Sequence, residues 1–113
     1  MANINTLIVY HEARTLVRAI HPITERVGFG DLGNQIRRAV ISVASNICEG
    51  AGSGSDKQFA RYCRMARASA NEVQGQLQIL GDLGIIADDH PAIALSDRIG
   101  RRLSCLIKRL EPG

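Results

Sequence analysis

The chain has 113 residues, 45% of them hydrophobic but only 4% aromatic, with no Trp and a formal net charge of +3. That length holds one domain, 1–113, with one core, and a core poor in aromatics suits packed helices better than a β-sandwich. An ordinary charge content argues against disorder, no apolar run reaches the ~20 residues of a membrane span, and the N-terminus MANINTLIVYHEAR lacks the basic start and cleavage site of a secretory leader, so a soluble cytoplasmic protein is expected.

Four segments carry helical spacing, and none sustains the two-residue alternation of a strand. In the first, Val9, Ala13, Leu16, Ile20, Ile23 and Val27 recur at steps of four and three. Pro22 falls inside this series, where a proline removes a backbone donor and crowds the preceding turn. The first helix is therefore expected over about 4–20, with Pro22 opening a short extra turn. Gly28-Phe29-Gly30 reads as a break, and Asp31 as the cap of a second helix over about 32–49.

That second helix holds the most informative stretch, QIRRAVISVASNICEG at 35–50. Leu32, Ile36, Ala39, Val40, Ile41, Val43, Ala44, Ile47 and Cys48 sweep out an apolar arc of roughly 200° where a surface helix buries about 100°. Such a helix is either central to its own bundle or covered by another copy of the chain. Gln35, Arg38, Ser42, Ser45, Asn46 and Glu49 gather on the remaining stripe, with Arg38 and Glu49 about 16 Å apart along the axis, too far to pair with each other. Two readings stand: a polar strip lining a subunit junction or ring channel, and a network fixing helix register inside the monomer. Arg37 lies at the rim of the apolar arc beside Ile41, Ala44 and Cys48, within reach of solvent or an acidic neighbour.

Gly50–Gly54 ends the second helix. Ser55 with Gln58 three residues later forms a capping-box pattern that opens the third, about 56–81, along the seam Phe59, Cys63, Ala66, Ala70, Val73, Leu77 and Leu80. Asp88-Asp89-His90-Pro91 starts the fourth, about 91–110, with proline in the first turn and acids at the positive pole. Its seam is Ala92, Ser96, Ile99, Leu103, Leu106 and Leu110. Four helices with short connections favour an all-α, antiparallel up-down-up-down four-helix bundle, and the repeats near 3.5 residues favour shallow crossings.

Twelve of the fourteen basic residues are arginine. Arginine makes planar, forked contacts with phosphate, although a bias toward it also follows genome composition. Lys57, Arg61, Arg64 and Arg67 lie off the third seam, and Arg98, Arg101, Arg102, Lys108 and Arg109 cover the outer face of the fourth helix. Such a surface suits a phosphate backbone without sequence preference, since no aromatic lies among these residues to stack a base; a merely solvated face is the plainer reading. Cys48, Cys63 and Cys105 are too dispersed for a zinc site or disulfide framework and are expected as buried reduced thiols. The glycine loop before the third helix fits no phosphate-binding motif. His11, His21 and His90 lack the partners of a di-metal bundle, and His11 with Glu12 and His21 with Glu25 read as scattered surface positions. No catalytic residue, cofactor, metal or small-molecule substrate is expected.

The ordered series Gln35-Ile36-Arg37-Arg38-Ala39, Ser42, Ser45-Asn46-Ile47, Glu49-Gly50, Ser55-Asp56-Lys57, Phe59, Ala66, Ser69, Glu72, Gln76-Leu77 and Leu83-Gly84 resembles the four-helix-bundle proteins encoded by intervening sequences of bacterial 23S rRNA genes. The likeness covers roughly residues 32–86. Ala68 stands where a glycine is usual before Ser69, and the segment 23–31 is longer than the pattern. The resemblance implies an antiparallel four-helix subunit with no established catalytic residue. It also implies a tie to the accessory proteins of diversity-generating retroelements, which form pentameric rings with a basic surface and work beside a reverse transcriptase and RNA. The expectation is a homo-oligomer, pentameric by resemblance, that associates with RNA or a nucleic-acid enzyme; the alternative is an oligomeric scaffold that binds only protein.

Overall fold

A computed structural model of the chain describes residues 4–27 and 30–112, in four helices: α1 (Ile4–Val27), α2 (Gly30–Ala51), α3 (Asp56–Asp82) and α4 (Pro91–Leu110). Each helix packs on its neighbours in the chain, and α4 closes back on α1. Directions follow from the cross-links. Ser42 meets Ser69 while Gly50 meets Phe59 and Tyr62, so α2 and α3 run antiparallel. Arg67 reaches Ser104 and Arg64 reaches Glu111, so α3 and α4 do too. The result is an up-down-up-down bundle about 43 Å long.

The seams build the core as their spacing requires. Val9, Ala13, Leu16, Ile20, Ile23 and Val27 of α1 are all buried, as are Phe59 through Leu80 along the α3 seam. In α4 the core takes Leu95 and Ile107 as well, while Leu110 is only half-buried against it. Ser55 caps α3 by accepting the Gln58 amide. The cap of α4 comes from His90, whose Nδ1 accepts the Ala92 amide at 3.1 Å, rather than from the acids before it. Gly84, at φ +72°, closes α3: its amide bonds Gly81 O, and Ile85 N bonds Leu80 O.

Three expectations change. Helix α1 does not stop near residue 20 but continues through Pro22 to Val27. Pro22 is exposed, so its ring displaces no core contact, while Ile20, Ile23 and Val27 hold the segment to the core. Helix α2 does not end at Gly50; it runs to Ala51, with Gly50 buried inside it. A Cβ there would lie 2.8 Å from Phe59 Cδ1 and 2.9 Å from Tyr62 Cβ, so this glycine sets the approach of α3 rather than a helix stop. Only Cys63 is a buried thiol; Cys48 and Cys105 are exposed. Of the expected break at Gly28-Phe29-Gly30, the first two residues lie outside the described ones, and Gly30 already belongs to α2.

Candidate functional site

The wide arc of α2 is divided by the bundle. Ile36, Ala39, Val40, Val43 and Ile47 are buried against α1 and α3, whereas Ile41 is 55% exposed, Cys48 is exposed and Ala44 is half-buried. Ile41, Ala44, Ser45, Cys48 and Glu49 line a shallow groove of about 390 Å³ with Tyr10 and Val17 of α1. On the same helix as Tyr10, one turn earlier, Leu7 is 56% exposed. A largely apolar strip therefore crosses the α1/α2 face and continues onto α1.

The polar stripe of α2 splits as well. Gln35, Arg38 and Ser42 face α3, where they line a hollow of about 300 Å³ with Ser69 and Glu72. There the Ser42 and Ser69 hydroxyls meet at 2.9 Å, and Asn46 Nδ2 donates to both the carbonyl and the hydroxyl of Ser42. Ser45 and Glu49 instead fall on the α1 side, and Ser45 returns its hydroxyl to Ile41 O. The stripe is thus divided: its α3 half hydrogen-bonds across to Ser69, and its α1 half lines the groove beside Tyr10 and Val17. Arg37 meets neutral partners, donating through Nε to Thr24 Oγ1 and through Nη1 to Asn34 Oδ1, and so ties α2 to the last turns of α1. Gln76, nearly buried, donates to Glu72 while its own Oε1 has no partner.

The candidate basic residues of α3 and α4 divide between two seams: Arg64 and Arg67 reach across α3/α4, while Arg98 and Arg102 turn toward α1. Lys57, Arg61 and Arg64 are exposed near the start of α3, which lies beside the end of α4 with Lys108 and Arg109. Arg61 stacks over the Tyr62 ring at 5.9 Å. Several cations are already paired: Arg64 with Glu111, Arg101 with Asp97, and both Arg98 and Arg102 with Glu12 of α1. Arg67 donates to Ser104 Oγ across the α3/α4 seam. Glu12 is no scattered surface residue, since its carboxylate sits between two guanidiniums with only 16% of its side chain exposed. His21 does pair with Glu25 at 2.8 Å, on the surface. Burial pushes the Cys63 thiol up to about 11, partly offset by the nearby Arg64 charge. Among the described residues no cluster of His, Cys, Asp and Glu is placed to hold a metal, and no helix is long and apolar enough to cross a membrane.

Sequence reasoning missed Glu12, Thr24, Ser69, Tyr10 and Val17 as site residues. Each acts across a helix pair, so its role depends on the antiparallel register and not on its own spacing. Ser69 and Glu72 carried a signal, because both belong to the motif series shared with the α2 stripe.

The sequence matches the model of the family described as 23S rRNA-intervening sequence protein over residues 5–104. The chain belongs to that family. Among solved structures, it is similar to a protein of unknown function from the S23 ribosomal protein family of Bacteroides thetaiotaomicron VPI-5482. The TM-score is 0.84 at 21% identity, covering 93% of this chain and 99% of that one, a likeness of fold. No curated protein gives a significant match.

Proposed function

We propose that this chain is a non-enzymatic, cytoplasmic helical subunit that assembles with copies of itself through the α1/α2 face and presents its arginine-rich α3/α4 side to RNA or to a nucleic-acid enzyme. The observation that carries the reading is the apolar strip in which Leu7, Ile41 and Cys48 are exposed and Tyr10, Val17 and Ala44 are half-buried in the monomer. Contiguous apolar surface of this kind marks an interface. The resemblance favours a closed ring of five. In a ring each copy repeats the same basic side, so modest charge per subunit sums to a field that attracts a polyanion and releases its counterions.

The acids that pair with Arg64, Arg98, Arg101 and Arg102 favour a second reading, a protein-only scaffold whose arginines serve solubility and helix packing. A filter-binding titration with unstructured RNA separates the two. The first reading expects micromolar affinity that falls steeply between 50 and 200 mM salt, by a factor of about 50 if four phosphates of a single strand are neutralised. No binding at low salt leaves the scaffold.

A further inference from the structure

Arg98, Arg101, Arg102 and Arg109 line a single hollow of about 430 Å³, floored by Cys105 and Leu106. Positions 98, 102, 105 and 109 follow one another at steps of four, three and four, and so stand on one stripe of α4. Glu12 of α1 reaches two of them. Its Oε2 accepts the Nε–H of Arg98 at 2.8 Å, and its Oε1 lies 2.6 Å from Nε of Arg102 in an ion pair too poorly aligned to count as a hydrogen bond. A guanidinium carries five N–H donors in a planar fork, and engagement through Nε leaves the four at the Nη end free. The carboxylate is the least exposed member of the group, so it is the anchor and the two arginines are what it aims. Arg101 shares its charge with Asp97, and Arg109 has no acidic partner among the described residues. Four cations against two acids leave an excess of two positive charges around one concavity.

Like charges gathered this closely repel one another, and a helix needing only solubility has no use for a carboxylate shared by two of them. Glu12 draws together only Arg98 and Arg102, one turn apart on that stripe, and so gathers charge at one point rather than stringing it out as a phosphodiester chain would need. A hollow with an excess of two suits a compact anion. We propose that this hollow binds a cluster of linked phosphates, two or three in series, as carried by a free nucleoside di- or triphosphate or by the 5′ end of an unprocessed transcript. Forked guanidiniums bind such oxygens two at a time, and the volume falls within the range of small-ligand sites. The lining holds no aromatic, so the base goes unread. The site goes beyond the RNA reading above: it rests on that reading for the transcript end and stands without it for the free nucleotide.

The probes are inorganic pyrophosphate, ADP, and one short RNA made with a 5′-triphosphate or a 5′-hydroxyl, each against the full chain. In a Cys48→Ser background, pyrophosphate is expected to slow alkylation of Cys105 by iodoacetamide several-fold. The Arg98→Ala/Arg102→Ala double variant, checked by circular dichroism for an intact bundle, is expected to weaken pyrophosphate binding about tenfold or more. Arg26→Ala, in the last turn of α1 and at the opposite end of the bundle, is expected to leave it unchanged. Glu12→Gln decides the anchoring: it raises the net charge yet is expected to weaken binding, because the arginines lose their aim. Triphosphate RNA binding about tenfold tighter than hydroxyl RNA supports the transcript end. Protection by pyrophosphate and ADP without that preference supports the free nucleotide, and does so even if no RNA binds and the RNA reading falls. No protection of Cys105 by pyrophosphate, with both RNAs binding alike, overturns the proposal while leaving the RNA reading in place. Stronger binding by Glu12→Gln overturns the preorganised hollow in favour of bulk charge.

Discussion

Gly50 brings α2 and α3 together so closely that a methyl group would collide with Phe59 and with the Cβ of Tyr62. The Tyr62 Cβ is fixed to the helix and cannot swing aside. Gly50→Ala is therefore expected to destabilise the fold by about 1–3 kcal/mol in urea unfolding. Gly52→Ala, whose Cβ would meet nothing nearer than 3.8 Å, is expected to change it little. The sequence exposes Gly50 only as a helix breaker, since the partner that makes it necessary lies in another helix. Cys63 offers a pH test. Burial raises its folded thiol to about 11 from an unfolded 9.0, so folding favours the protonated form. That contribution is complete below pH 9 and is lost as pH rises toward 11, when only the unfolded thiol ionises. Stability is expected to fall over that window by about 2 kcal/mol, and Cys63→Ala should flatten the slope. A slope unchanged by the substitution assigns the loss to other groups.

Among the elements, α1 tests how far burial overrides local propensity. Its apolar series runs unbroken from Val9 to Val27, and that period proved the stronger signal than the proline within it. Pro22 still lacks an amide and crowds the turn before it. Pro22→Ala is expected to stabilise the protein by about 1–3 kcal/mol, read from the urea midpoint, with no change in helix packing. A loss of stability would mean that the proline shapes a bend the core requires. The capping of α3 by Ser55 was legible because a hydroxyl and its amide lie three residues apart in sequence. The capping of α4 by His90 was not, as an imidazole acceptor is not among the usual caps. The same division holds for α2. Its excess apolar arc is visible in the sequence, but which part the bundle covers depends on where α1 and α3 lie. The polar stripe likewise divides between two grooves because each neighbour takes one edge.

For the whole molecule, the four helices, their order and most of their core follow from periodicity alone, because each seam keeps one register along its full length. The clamp of Glu12 on Arg98 and Arg102 does not, since residues 86 and 90 positions apart are joined only by closure of the bundle. The central claim concerns the strip that closure leaves open. Light scattering coupled to size exclusion, over a range of micromolar concentrations, tests it most directly. The wild-type chain is expected at a multiple of its 12.3 kDa mass, five-fold if the ring of the resemblance forms. Ile41→Glu, at a position 55% exposed in the subunit, is expected to give a folded monomer. A wild-type particle that stays at 12.3 kDa throughout, with its helical signal intact, contradicts assembly through this face.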